Sequence, residues 1–136
     1  MSGLKPRVLV LDEDVLALEL YTRELKENYQ VVACRNVDES RKLLKNETFD
    51  MFIIEPAVND GEGWTILKEV QSIPTPPLVV LCSVEDERKC GLEQGAHAFI
   101  VKPVSMPVLH SLLDHMASQN AARKLPKPML KAEKGK

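Results

Sequence analysis

Short apolar runs and helix-spaced apolar stripes alternate along residues 7–118. RVLVL (7–11) is a continuous apolar run, dense enough for a strand buried on both faces. Asp14 then stands where it can cap a helix of roughly 15–27, with Leu18, Tyr21 and Leu25 on one face. QVVAC (30–34) predicts a second strand, and Asn36 with Glu39 makes a capping pair for a helix near 37–46. MFII (51–54) predicts a third strand, and the turn formers Asn59 to Gly63 lead into a helix near 63–71 carrying Trp64, Leu67 and Val70. SIPTPP (72–77) cannot continue that helix, and LVVLC (78–82) follows as a fourth strand. Ser83 suits the N-cap of a helix at about 84–94, with Gly95 as its left-handed stop. AFIV (98–101) predicts a fifth strand ending at Lys102-Pro103, and Ser105 opens a last helix to about Ala117. Five β/α units of this kind predict an α/β fold with a parallel, doubly wound sheet in a single domain.

Composition narrows the class. A chain of 136 residues with 44% hydrophobic content can bury a true core. Cys34, Cys82 and Cys90 are odd in number and widely spaced, which favours reduced thiols and a cytoplasmic location over a disulfide framework or a zinc site. No apolar run approaches the ~18 residues of a membrane span, and MSGLKPR is too short and polar to read as a signal peptide. The net charge of −2 hides an asymmetry: Gln119 to Lys136 holds six basic residues against the single acid Glu133. With Pro126 and Pro128 in it, 119–136 reads as a flexible basic extension, leaving 1–118 as the domain. Without aromatics or helical period, the extension is a poor nucleic-acid element on its own.

Charge converges at the strand ends. In a doubly wound sheet the carboxyl ends share one edge, where ligands bind. Strand 1 ends in Asp12, Glu13 and Asp14, strand 3 in Glu55, strand 4 in Cys82 and Ser83, strand 5 in Lys102. Carboxylates and a backbone carbonyl suit a hard dication such as Mg²⁺, while a lysine can neutralise a phosphoryl group.

The acidic group after VLVL, the stretch 52-FIIEPAVNDGEG-63, 77-PLVVLCS-83 and above all 95-GAHAFIVKPVS-105 resemble the receiver domain of two-component response regulators over residues 6–118. The resemblance implies a flavodoxin-like fold of strand order 2-1-3-4-5 and a place in phosphorelay signal transduction as a non-enzymatic module. It places Asp12 and Glu13 on the acidic pair that binds Mg²⁺, and Glu55 on the phosphoacceptor position. The Ala57 backbone carbonyl joins Asp12, Glu13 and Glu55 in the implied metal set. Cys82, or Ser83 one residue on, falls on the hydroxyl position, Lys102 on the phosphoryl-site lysine and Phe99 on the switch aromatic. By the same resemblance the Lys102-Pro103 bond is expected to be cis.

Three departures change the chemistry. Receivers use an aspartate where Glu55 stands, and a carboxylate misplaced by on the order of 1 Å can cost ~10²-fold. Glu13 adds a second methylene, and Cys82 offers only a weak S–H donor. Mg²⁺ binding is therefore expected to be weak or absent, with no other cofactor implied, and ordinary aspartyl phosphorylation is not expected. Glu55 either forms a standing charge pair with Lys102 that holds one conformation, or marks a site whose chemistry has been lost. Phe99 reads as packing or interface rather than as a rotameric switch.

The expected role is thus a pseudo-receiver that binds protein: a histidine kinase, an output protein, or a second copy through the face of helix 4, strand 5 and helix 5, with Met106, Val108 and Leu109 as contributors. Two rival functions remain. One is a phosphorylation-competent receiver with an unusual Mg²⁺-dependent site. The other is a haloacid-dehalogenase-type phosphatase, since 8-VLVLDEDV-15 fits its opening motif with Asp12 as nucleophile and Asp14 as general acid/base. No paired acidic motif follows Lys102 to complete that site. The sequence leaves open whether the chain stands alone or belongs to a longer protein.

Overall fold

A computed structural model describes residues 4–123. Five strands, β1 (Arg7–Leu11), β2 (Gln30–Cys34), β3 (Met51–Ile54), β4 (Leu78–Ser83) and β5 (Ala98–Val101), form one sheet. Every neighbouring pair is parallel, in the order β2-β1-β3-β4-β5. The helices are α1 (Val15–Leu25), α2 (Val37–Asn46), α3 (Gly63–Val70), α4 (Arg88–Glu93) and α5 (Met106–Arg123). A further helical turn, Val58–Gly61, is broken by left-handed residues and precedes α3.

The strand period sorts the core into two layers. Val8, Val10, Met51, Ile53, Leu78, Val80 and Cys82 face Leu18, Tyr21 and Leu25 of α1 and Leu109, Leu113 and Met116 of α5. Leu9, Leu11, Phe52, Ile54, Val79 and Leu81 face Val37 of α2 and Ile66, Leu67 and Val70 of α3. Fully burying one such side chain is worth about 1.5–3 kcal/mol. β1, β3 and β4 are buried almost throughout, whereas the edge strands β2 and β5 are only partly covered.

The expected caps formed with two changes. Asp14 accepts from the Leu16 N–H, and Asn36 Oδ1 from the Glu39 N–H. Glu39 Oε1 reaches back to the Arg35 N–H rather than to that of Asn36. Ser83 caps no helix. It closes β4, its hydroxyl accepts from the Glu85 N–H, and α4 begins later, after Glu87. Gly95 follows α4 with φ +111°, a left-handed stop that a glycine takes without steric cost.

The last helix also differs from expectation. It runs past Ala117 to Arg123, so the boundary read at 118 falls inside it. Asn120, assigned from sequence to the extension, is buried and donates to Asp50 Oδ1, just ahead of β3. Leu109 belongs wholly to the core, while Val108 beside it is exposed. Residues 124–136 of the expected extension lie outside the described residues.

Candidate functional site

Strand alternation assembles the site before any loop contributes. Asp12 continues the parity of Val8 and Val10, Glu55 that of Met51 and Ile53, Lys102 that of Ala98 and Ile100, and Cys82 is itself in that layer. All four therefore project from the carboxyl edge toward the α1–α5 side. Leu81 pairs with Ile54 in the register, which makes Cys82 and Glu55 the next neighbours across β4 and β3. Ser83 has the opposite parity, so the structure turns Cys82, not Ser83, into the pocket.

Lys102 ties the carboxylates together. Its Nζ lies 2.8 Å from Asp12 Oδ2 and 2.7 Å from Glu55 Oε1. The three side chains are 18%, 5% and 11% exposed, so water screens them weakly. Burial disfavours the Lys102 charge, but the hydrogen bonds and charges of Asp12 and Glu55 outweigh it and hold the ammonium pKa above the usual lysine range. The remaining oxygens are also engaged. Asp12 Oδ1 accepts from the Asp14 N–H at 2.9 Å, and Glu55 Oε2 from the Ala57 N–H at 3.2 Å. The Lys102-Pro103 bond is cis.

Tyr21 is the residue that sequence reasoning left as a helix-face position. It is 2% exposed and lies in the same core layer as Cys82, close enough for the thiol to help raise its hydroxyl pKa after burial itself. A buried phenol needs a polar partner, and that was the available signal. Burial pushes the Cys82 thiol up to about 12, against the opposing effects of Tyr21 and Lys102. The thiol is thus neutral and enclosed in the core.

The loop after Glu55 is built by local backbone constraints. A Cβ on Gly63 would stand 2.6 Å from Pro56 Cα and 2.8 Å from Glu55 O, so α3 starts in contact with the backbone that carries Glu55. Between them Asn59, Asp60 and Gly61 have φ of +51°, +57° and +96°. Left-handed backbone costs an ordinary L-residue roughly 1–2 kcal/mol, and Asn and Asp tolerate it best. Glu13 turns toward this loop: its Oε2 accepts from the Asn59 N–H at 3.1 Å. Asn59 Oδ1 in turn accepts from the Val37 N–H at 2.8 Å, and Arg35 donates to the Glu13 carbonyl. Neither Asn59 nor Arg35 carried a sequence signal for this role.

A sequence model of the response regulator receiver domain matches residues 8–114. The chain belongs to that family. It is 28% identical over 126 residues to the transcriptional regulatory protein GlrR of Escherichia coli K12, covering 89% of this chain and 28% of that protein. It is 30% identical over 124 residues to the two-component response regulator ARR11 of Arabidopsis thaliana, covering 85% of this chain and 24% of that protein. The chain thus spans about a quarter of the length of these relatives. Its fold matches a CheY-like receiver domain protein from Methanospirillum hungatei JF-1 at a TM-score of 0.81 and 22% identity, covering 89% of this chain and 99% of the other. The Francisella response regulator 1452 receiver domain matches at 0.79 and 21% identity, covering 85% and 98%.

Receiver domains typically bind Mg²⁺ at the phosphorylation site. The donor types of this receiver suit a hard cation, but their arrangement does not. Asp12 and Glu55 converge on Lys102, Glu13 points to Asn59, and the Ala57 carbonyl accepts from the Gly61 N–H. Among the described residues no three acids, histidines or cysteines gather where they could hold a metal ion.

The receiver's remaining candidate residues, and two of its histidines, fall elsewhere. Phe99 is half-buried in the second core layer, against Leu81 and Gly91. Asp14 acts as a helix cap and is exposed, so it does not join Asp12 as an acid/base pair. His97 is exposed, with Nδ1 accepting from the Val79 N–H, and His110 bonds the Glu24 carbonyl. No described helix is long and apolar enough to cross a membrane.

Proposed function

We propose that this receiver is a pseudo-receiver: it takes part in two-component signalling by contact and does not turn over a phosphoryl group at Glu55. The supporting observation is that Lys102 pairs at once with Asp12 and Glu55. The lysine that would meet an incoming phosphoryl oxygen is already neutralised by two carboxylates of the chain itself. Phosphoryl transfer depends on positioning and charge, and here the longer carboxylate ends on the ammonium.

The charge pair supports a standing conformation more than an inert remnant. One carboxylate still carries about one negative charge where a phosphoryl group carries roughly two, so any imitation of an acyl-phosphate is partial. Receiver domains interact with histidine kinases and output domains. For this chain the contact face we favour comprises the loop after β4, α4, β5 and the start of α5, where Val84, Leu92 and Val108 are 66%, 45% and 57% exposed. Its occupant is a kinase, an output protein or a second copy of the chain, in the cytoplasm, with no membrane or nucleic acid bound by this domain itself.

Fluorine NMR with beryllofluoride and Mg²⁺ tests the reading. The expected spectrum shows only free fluoride species. A saturable bound resonance that disappears in Glu55→Gln would establish the alternative, a phosphorylation-competent receiver.

A further inference from the structure

We propose that Glu13 is a loop clasp rather than a cation ligand, and that it closes the crevice edge in place of a divalent ion. The inference rests on the reading that this crevice does no phosphoryl chemistry, and it names what the second acidic residue does instead.

Three loops meet at Glu13. Its own backbone, after β1, accepts both Arg35 Nε and Nη2 at 3.3 and 3.2 Å from the loop after β2. Its carboxylate accepts the Asn59 N–H at 3.1 Å from the loop after β3. Asn59 closes the circuit, since its Oδ1 accepts the Val37 N–H at the start of α2 at 2.8 Å. The Asn59 N–H belongs to the first of three consecutive left-handed residues, a conformation that surrounding contacts must hold. An anionic acceptor makes a stronger hydrogen bond than a neutral one, so Glu13 is the group suited to holding it.

The extra methylene of glutamate accounts for the direction taken. While Asp12 is bound to Lys102 and to the Asp14 N–H, Glu13 extends away from that pair and spans to the neighbouring loop. A divalent ion would draw acids from the β1 and β3 loops to one point. The clasp joins the same two loops through a backbone N–H and leaves the acids apart. Loop closure in this chain is therefore independent of divalent cations.

Backbone amide NMR of the whole chain tests this with Mn²⁺ as paramagnetic probe and with hydrogen exchange. In the wild type, millimolar Mn²⁺ should produce no saturable broadening at residues 12–13 and 55–57, and Asn59 exchange should be equally slow in EDTA and in Mg²⁺. Glu13→Ala should speed Asn59 exchange by about tenfold or more while the Ile53 and Ile54 amides stay protected. Glu13→Gln, which keeps a side-chain oxygen acceptor, should retain most of the protection. If Glu13→Ala loosens the whole domain, Glu13→Asp provides the same readout through shortened reach. Saturable Mn²⁺ broadening in the wild type, or Asn59 exchange unchanged in both shortened variants, would overturn the clasp. A chain that bound Mn²⁺ yet took up no beryllofluoride would lose this inference and keep the pseudo-receiver reading.

Discussion

Lys102 Nζ and Glu55 Oε1 stand 2.7 Å apart although β5 and β3 are not neighbours, so the pair bridges over β4 and Cys82. The same ammonium reaches Asp12 at the end of β1. One side chain thus links the ends of three strands at the edge where this fold keeps its chemistry. That makes the ion group a structural tie as well as a plug.

Removing the tie leaves the buried Asp12 and the partly buried Glu55 without a counter-charge between them. Lys102→Met is expected to cost on the order of 3 kcal/mol, seen as a melting temperature lower by about 10 °C. Adding Glu55→Gln should recover part of the loss, because one unpaired charge goes with it. A double-mutant cycle by urea unfolding measures the coupling. A Lys102→Met variant within about 1 kcal/mol of wild type would show the tie to be worth little, as exposed pairs are.

Gly63 sets the height of Glu55. Since a Cβ there would stand 2.6 Å from Pro56 Cα, Gly63→Ala must push α3 away from the backbone under the site. Overpacking of this kind costs about 1–3 kcal/mol, and thermal unfolding should show it. The amide shifts of Glu55 and Pro56's neighbours should move more than those of β1. Gly61→Ala supplies the contrast, with nothing within 4 Å of its Cβ but a φ of +96°.

The thiols should separate by exposure. Cys90 is exposed, whereas Cys34 and Cys82 are buried and their thiols are pushed up to about 12. Native protein should therefore react rapidly at Cys90 with a disulfide reagent near neutral pH, and at Cys34 and Cys82 only on unfolding. Peptide mapping identifies the modified residue. Rapid native labelling of Cys82 would contradict a thiol enclosed beside Tyr21 in the core.

Stability should fall on the alkaline side. The Lys102 pKa is raised on folding, so its contribution is complete below the usual lysine value of about 10.4 and is lost as pH rises through the folded value. The Cys82 thiol is raised from 9.0 to about 12, so between these values the unfolded state sheds the proton first and rising pH favours unfolding. Both effects have the same sign. Urea unfolding at successive pH values should show a decline beginning near pH 9, with a shallower slope in Cys82→Ala.

Much of this was legible in the chain because strand and helix periods are local. RVLVL, QVVAC, MFII and AFIV became strands at the residues where their apolar density placed them, and Asp12, Glu55 and Lys102 met because parallel strands share an edge. What sequence did not reveal depends on contacts distant in the chain. Ser83 looked like a cap because caps are recognised by residue type, yet the ladder with β5 held it in β4. The last helix outran its pattern because Asn120 found Asp50, seventy residues earlier. Tyr21 and Glu13 show the same limit. Their partners, Cys82 and Asn59, lie on other elements, and the direction Glu13 takes follows from a left-handed turn that no periodicity encodes.

The central claim is that Glu55 accepts no phosphoryl group because Lys102 already holds it. Intact-mass spectrometry after incubation with acetyl phosphate and Mg²⁺ tests it most directly, with Glu55→Asp treated in parallel to show what the shorter carboxylate allows. The account predicts an unchanged mass for the wild type. A wild-type chain that gains the mass of one phosphoryl group, mapped to Glu55 and lost in Glu55→Gln, would contradict it.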